Sequence, residues 1–357
     1  MEAEAWFPSS APGALSSCVR NAYPMWMMPL IFRLPKANSR LAKAVEKAFL
    51  KALKQGDIAY LWPGVSLETY RQIKGRGITI VTERINCHTR FSKIILDKEF
   101  ARIGLEPSHG ITDQSLAEED KELEIADLIF APNQFVIESL LQSGVPREKI
   151  LATSYGWDPI KLKGRDVMPS HTEKHIQEKG VTALFVGSLC VRKGVHLLLE
   201  AWARSGVRGR LLFSGAVAAD LASHSSEALD RMDITLLGHV SDVGSVYRSA
   251  DFFVFPSLEE GGPMVTFEAM GCGLPVIVSP MGAGPAREGI DGFIIDPYDI
   301  DGWSDAIRKL AEDGELRKRM SVSAKERAEE FTWERVGQRR REILEKAMCD
   351  LVSKHEF

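Results

Sequence analysis

The stretch that most constrains this chain runs from Asp251 to Pro275 and reads D-F-F-V-F-P-S-L-E-E-G-G-P-M-V-T-F-E-A-M-G-C-G-L-P. One Asp followed by a short, unbroken apolar run predicts a strand buried on both faces of a parallel sheet, ending near Pro256. Glu259 to Gly262 form a turn. Pro263 then fits the first turn of a helix, where the N–H that proline lacks would be unpaired in any case. The helix is expected to reach about Met270 and to stop at Gly271 and Gly273. Val276, Ile277 and Val278 supply a second strand, which completes a strand-helix-strand unit.

That geometry sets a helix N-terminus at the carboxyl edge of a sheet. The amides of Gly261, Gly262, Met264 and Val265 then face a crevice that favours an anion. Glu260 and Glu268, eight apart, flank the same place. A carboxylate repels a phosphate, so the two glutamates must meet another part of the ligand, and the neutral hydroxyl donors of a sugar suit them. Spacing alone says little where 49 of 357 residues are Asp or Glu. Strand, glycine turn, flanking glutamates, short helix and G-x-G-L-P in this order are far more specific. In that order the stretch resembles the nucleotide-sugar site of the GT-B glycosyltransferases, family 4. The resemblance runs through most of residues 120 to 340 and is weak before about residue 57.

The resemblance implies an α/β fold of two Rossmann-like parallel domains facing a cleft, with a C-terminal helix that crosses back to the N-domain. Length agrees, since 357 residues suffice for two domains with a core each. A net charge of −4, with 26% charged residues and no run of five like charges, argues against nucleic acid as a partner. Cysteines at 18, 87, 190, 272 and 349 are odd in number and lack C-x-x-C spacing. That disfavours a disulfide scaffold and a zinc site, and points to a reducing cytoplasm. No apolar stretch approaches the roughly 18 residues of a membrane span. The run Tyr23 to Phe32 is too short and holds two prolines; it reads as a buried strand or crevice-lining loop, with peripheral contact with a membrane's inner face as the alternative. The N-terminus lacks the basic start and apolar core of a signal peptide.

In chain order, residues 4 to 22 read as a stub of strand, a loop around Gly13 and a helix. A helix from Ser39 to Lys54 carries Leu41, Val45, Phe49 and Leu53 on one face. Ile58 to Trp62, Leu67 to Lys74 and Ile78 to Thr82 then give the strand-helix-strand rhythm of a parallel sheet. The second strand empties into E-R-I-N-C-H-T-R, so Glu83, Arg84, Asn86 and His88 lie near its carboxyl end. His88 resembles the histidine that many family members place against the transferred sugar; the alternative is a hydrogen-bonded structural residue. Residues 92 to 124 are charged and mostly helical, without a site signal. A strand-helix pair follows, with Asn133 at the helix start. The expected domains are 1–165, a polar linker over 166–180, a nucleotide-sugar domain over 181–335, and a returning helix over 336–357.

In the second domain, the strand Ala183 to Val186 enters G-S-L-C-V-R-K-G. Gly187 and Gly194 allow close approach to a ligand, and Arg192 and Lys193 stand at the helix start. In the family this loop is G-R-x-x-x-x-K-G, and its arginine and lysine clamp the donor diphosphate. Lys193 matches the lysine, Ser188 stands where the arginine should be, and Arg192 is the candidate to supply its charge. The strands Leu211 to Ser214 and Ile234 to Leu237 end in glycines. The loop after the latter, with Gly238 and His239, holds the base in family members mainly through backbone groups. Glu288 matches a further family glutamate, with a surface role equally open. No G-x-G-x-x-G and no His/Asp cluster with ligand spacing occurs, so no cofactor and no metal are expected, in line with the family's metal independence.

The resemblance implies transfer, with retention, of a hexose-type sugar from a nucleoside-diphosphate sugar to a saccharide or lipid-linked acceptor. Arg192 and Lys193 would neutralise the leaving diphosphate, helped by amides from Gly261 to Met264. Glu260 would hold hydroxyls of the transferred sugar and Glu268 those of the ribose. Pro263 replaces the second glycine of the family's E-G-F-G and removes one amide donor. A sugar-nucleotide epimerase of the same fold and a catalytically silent sugar-nucleotide-binding relative are the alternatives.

Overall fold

The computed structural model describes residues 5–7, 19–21, 37–163 and 180–355. Gly13, the Tyr23–Phe32 run and nearly all of the expected linker lie outside the described residues. The chain divides into two compact units. The first comprises Met1–Arg84, Asp113–Phe130 and Arg147–Ile150, and the second Ile85–Thr112, Ala131–Pro146 and Leu151–Phe357.

The first strands, β1 (Ala5–Phe7) and β2 (Val19–Asn21), form a parallel pair with Ala5 opposite Val19. This corrects the helix expected up to residue 22. Val19 and Asn21 are weak helix formers, and pairing with β1 satisfies the backbone instead. α1 (Ala37–Ala52) buries Leu41 from its apolar face, and Leu53 is buried just beyond its end. β3 (Ile58–Leu61), α2 (Leu67–Gly75) and β4 (Thr79–Glu83) follow, with the Ser66 hydroxyl capping α2 by accepting from the Thr69 amide. Next come α3 (Thr89–Arg102), α4 (Asp113–Ile125), β5 (Leu128–Ala131), α5 (Gln134–Gln142) and β6 (Ile150–Ala152). The sheet order is β3-β4-β5-β6, with β3, β4 and β5 parallel.

The second unit holds the larger sheet. Its strands are β7 (Val181–Val186), β8 (Gly209–Ser214), β9 (Ile234–Gly238), β10 (Phe252–Phe255), β11 (Val276–Val278) and β12 (Gly292–Ile294). Between them run α6 (Val195–Ser205), α7 (Ala219–Leu229), α8 (Val243–Arg248) and α9 (Met264–Gly271). α10 (Ile300–Glu312), α11 (Gly314–Glu329) and α12 (Trp333–His355) complete the chain. All six strands are parallel, in the order β12-β11-β10-β7-β8-β9. From β7 the chain builds outward through β8 and β9, then returns to add β10 on the other side. The edge between β7 and β10 is therefore a topological switch point, where open α/β sheets form a ligand crevice.

Phenylalanines fill the core beneath that edge. Phe185, Phe213, Phe253 and Phe255 are buried, with ring centroids 5.5 Å apart for Phe185–Phe213 and Phe185–Phe255 and 5.9 Å for Phe253–Phe255. At the other end of the unit, the Trp157 indole donates to the Ala328 carbonyl at 2.8 Å, and the Trp333 amide donates to the Trp157 carbonyl at 3.0 Å, which fixes where α12 starts. No helix among the described residues is long and apolar enough to cross a membrane. Removing a ring from this stack leaves a cavity that close-packed neighbours fill only in part. Phe253→Ala should therefore lower unfolding stability by about 3–5 kcal/mol in denaturant titrations. A loss under about 1 kcal/mol would show that the stack does not set the stability of this unit.

Candidate functional site

Two loops leave the sheet at the switch point. One follows β7 and includes the short 3₁₀ turn Val191–Lys193; the other follows β10 from Pro256 to Pro263. The Leu258 amide donates to the Arg192 carbonyl at 3.0 Å, which ties the loops together. Gly194 links the turn to α6 at φ 66°, and a Cβ there would lie 2.1 Å from the Pro256 carbonyl oxygen. Only glycine meets both conditions. Arg192 and Lys193 thus stand one turn ahead of α6 rather than at its first residues, pressed against the β10 loop.

The contact brings four charges together. Lys193 Nζ touches Glu260 Oε1, and Arg192 Nη1 lies 3.2 Å from Glu259 Oε2. Both glutamates are buried, Glu259 at 2% exposure, and Lys193 is buried as well. The Lys193 ammonium lies 5.5 Å from the centre of the Phe255 ring, so the aromatic stack forms the floor of the site. Burial, and after it the charge of Arg192, draw the Lys193 pKa down to about 7. The touching carboxylate opposes this shift, since a neutral amine would leave Glu260 buried without a counter-charge. The Ser257 hydroxyl lies 3.3 Å from Glu260 Oε1 and 3.1 Å from the Glu259 carbonyl, fixing the turn between them.

Residues 92 to 124 carried no site signal in the sequence, yet α3 buttresses the site. The Ser92 hydroxyl donates to Glu259 Oε1 at 2.9 Å. Leu96 and Phe100 pack on Val191, the first residue of the 3₁₀ turn. Further along, Glu99 is buried between α3 and α6, accepting from Arg102 Nε at 2.9 Å and Nη2 at 2.7 Å, and lying 2.5 Å from His196 Nε2. Glu259, Ser92 and Glu99 are the residues that sequence reasoning missed. A signal for Glu259 was present: two basic residues after one strand and two acidic ones after another can pair if those strands are neighbours.

The entry to α9 differs from expectation in one respect. Pro263 precedes the helix as its N-cap residue instead of occupying its first turn, and the Met264 amide is spent on the Gly262 carbonyl at 2.8 Å. Proline offers no side-chain acceptor, so the backbone closes the turn itself. The amides of Gly261, Gly262 and Val265 make no hydrogen bond among the described residues. A Cβ on Gly261 would lie 1.9 Å from the Ile85 carbonyl oxygen, and one on Gly262 would lie 1.8 Å from the Tyr155 ring, so both glycines are required by packing. The Asn133 side chain donates to the Gly261 carbonyl and also caps α5, accepting from the Val136 amide at 2.9 Å.

The remaining candidates are more dispersed. Glu268 accepts from the Tyr247 hydroxyl at 3.0 Å; burial raises its pKa against that hydrogen bond. His88 is fully buried and caps α3, its Nδ1 accepting from the Arg90 amide at 3.2 Å while its own amide donates to Ser139 at 2.9 Å. The Gly187 amide is used by the Ser214 carbonyl at 2.9 Å, and Ser188 is exposed. Gly238 ends β9, with exposed His239 after it. Exposed Glu288 accepts from the Ile294 amide. Among the described residues no group of three or more His, Cys, Asp or Glu side chains could hold a metal ion.

Solved structures share this architecture. HepE from Anabaena in complex with UDP superposes with a TM-score of 0.65 at 18% identity, covering 92% of this chain and 85% of that one. Sucrose-phosphate synthase from Thermosynechococcus elongatus gives 0.66 at 19%, covering 89% and 81%. The chain carries the GT-B fold of glycosyltransferases. Over residues 168–327 its sequence matches the family Glycosyl transferases group 1. The D-inositol 3-phosphate glycosyltransferase of Corynebacterium diphtheriae is 30% identical over 188 residues, 48% of this chain and 44% of that protein. The O-antigen chain mannosyltransferase B of Escherichia coli is 28% identical over 224 residues, 59% and 58% respectively. The chain thus covers about half the length of these curated relatives.

The buried Glu99 makes the α3–α6 contact sensitive to acid. Burial alone would raise its pKa, but hydrogen bonds from His196 and Arg102 outweigh it and hold the carboxyl at about 2. An unfolded glutamate titrates near about 4.3, so this group adds stability above that pH and loses it as pH falls toward about 2. Glu99→Gln should accordingly make the acid limb of the stability profile shallower between about pH 4.3 and 2. Identical acid limbs in both proteins would contradict this assignment.

Proposed function

We propose that this chain is a retaining glycosyltransferase of the family 4 type, moving a hexose-type sugar from a nucleoside-diphosphate sugar to a saccharide or lipid-linked acceptor. One observation carries the reading: Arg192 and Lys193 lie beside Glu260 and the amides of the α9 entry, at the switch point of a six-stranded parallel sheet. Negative charge grows on the leaving diphosphate as the glycosidic bond breaks, and preorganised cations and amides stabilise it there without reorganisation. The Lys193 ammonium has three donors, so it can keep Glu260 while meeting a phosphate. Glu260 then accepts from hydroxyls of the transferred sugar, Glu268 from the ribose, and the Gly238–His239 loop meets the base. His88, buried at the start of α3, stays in place as a candidate contact to the sugar. The acceptor hydroxyl bonds to the anomeric carbon on the face that the diphosphate leaves, and its proton passes to the departing phosphate.

The relatives support this reading over a sugar-nucleotide epimerase or a silent binder, since those compared by sequence are glycosyltransferases and one structural neighbour is in complex with UDP. We propose no cofactor and no metal requirement, with Arg192 and Lys193 taking the charge-neutralising part. Among the described residues Cys87, Cys190, Cys272 and Cys349 form no disulfide, which suits a reducing cytoplasm, and acceptor chemistry would then decide any approach to the inner membrane face.

The test is to incubate the protein with UDP-, GDP- and ADP-linked hexoses, with simple glycosides and prenyl-phosphate-linked sugars as acceptors, with and without EDTA. One donor should release its nucleoside diphosphate only when acceptor is present, the product should keep the donor's anomeric configuration by NMR, and EDTA should change the rate less than about twofold. Release without acceptor, an inverted product, or activity lost to EDTA and restored by Mg or Mn would each contradict the proposal.

A further inference from the structure

We propose that Glu259 is the positioning residue for Arg192, and that Ser92 locks Glu259 in place, so that this pair turns an ordinary loop arginine into the second cation for the diphosphate. The inference rests on the nucleotide-sugar reading above and extends it to residues outside the sequence motif.

Three observations carry it. First, Glu259 is 2% exposed, and a carboxylate that deep must be neutralised or fully hydrogen-bonded to remain ionised. Its two oxygens have separate partners: Oε1 takes the Ser92 hydroxyl at 2.9 Å and Oε2 takes Arg192 Nη1 at 3.2 Å. The carboxylate is thereby fixed in rotation as well as in place. Second, Arg192 is held through one nitrogen. Nη1 also lies 3.5 Å from the Glu259 carbonyl, and the Arg192 carbonyl accepts from Leu258. A guanidinium has five N–H donors in a rigid fork, so this anchor leaves donors for a phosphate while removing most of the freedom of a long side chain. Roughly a third of the side chain is exposed, so the group is accessible as well as held. Third, Ser188 is exposed and carries no charge, so the turn has no other cation besides Lys193 to offer a diphosphate.

Glu259 meets no substrate in this arrangement; it acts through Arg192. A competing role is conceivable in physical terms, because a carboxylate and a phosphate can vie for the same guanidinium. The two roles have opposite signs, since removing an anchor weakens phosphate binding and removing a competitor strengthens it.

The experiment measures binding of UDP and UMP, of GDP and GMP, and of ADP and AMP to the full chain by calorimetry, for wild type, Glu259→Gln, Ser92→Ala, Arg192→Ala and the Arg192→Ala/Glu259→Gln double variant. Glu259→Gln should weaken the diphosphate that wild type binds by about tenfold or more, the lower end for a charged hydrogen bond, while changing the matching monophosphate by less than about twofold. Ser92→Ala should shift the same selectivity in the same direction by a smaller factor, and it tests the idea even if Glu259→Gln fails to fold. The double variant should bind no worse than Arg192→Ala, because the anchor has nothing left to hold. Equal losses for mono- and diphosphate, tighter diphosphate binding, or additive losses in the double variant would overturn the assignment. Wild type binding UDP, GDP or ADP with both single variants unchanged would overturn this inference alone. Wild type binding none of the three would overturn the nucleotide-sugar reading with it.

Discussion

A lysine ammonium buried as deeply as that of Lys193 is tolerated only beside a counter-charge, and the switch point of the larger sheet exists in a form that supplies one. β7 and β10 are neighbours although about 70 residues separate them, so the loops that follow them are forced together. Gly194 lets those loops close to van der Waals contact, the Leu258–Arg192 backbone bond fixes their alignment, and Phe255 covers the base of the site with an aromatic face. Each of these features would be unremarkable alone. Together they hold two cations and two carboxylates in a space where water cannot solvate all four.

On the proposed reading, that arrangement offsets the departures from the motif that the stretch resembles. Ser188 takes away one cation, but Arg192 is anchored close by. Pro263 takes away one amide, and Met264 closes the turn on Gly262, yet the amides of Gly261, Gly262 and Val265 stay without a partner among the described residues. The pairing of Glu259 with Arg192 and of Glu260 with Lys193 follows from the same strand adjacency, two consecutive residues on each side meeting in order. α3 then acts as a brace along the turn, through Ser92 at one end, Leu96 and Phe100 in the middle, and Glu99 against His196 at the other.

Much of this was legible in the sequence because it is local. The apolar run before Pro256, the glycines at 261, 262, 271 and 273, and the Val276–Val278 run mark β10, α9 and β11 to within a residue or two, since period, turn chemistry and strand propensity agree there. Lys193 and Glu260 were legible as well, through the motif. What stayed hidden depends on contacts between distant positions. Ser92 and Glu259 are 167 residues apart and His196 and Glu99 are 97 apart, so no window on the chain shows that either glutamate is buried. The same holds for Val19–Asn21, whose strand exists only because β1 lies beside it. His88 was ambiguous for a different reason: a histidine ahead of a helix can cap it or face a ligand, and the capping bonds here are visible only in three dimensions.

If the Arg192–Lys193 turn is the seat of the donor diphosphate, as proposed, a crystal structure of the chain soaked with the nucleoside diphosphate that binds it should show it there. Phosphate oxygens should lie within hydrogen-bond distance of Lys193 Nζ, the Arg192 guanidinium and at least one amide of the Gly261–Val265 stretch, with Glu259 still on Arg192. A nucleotide whose phosphates lie elsewhere, with Lys193 and Arg192 making no contact to them, would contradict it.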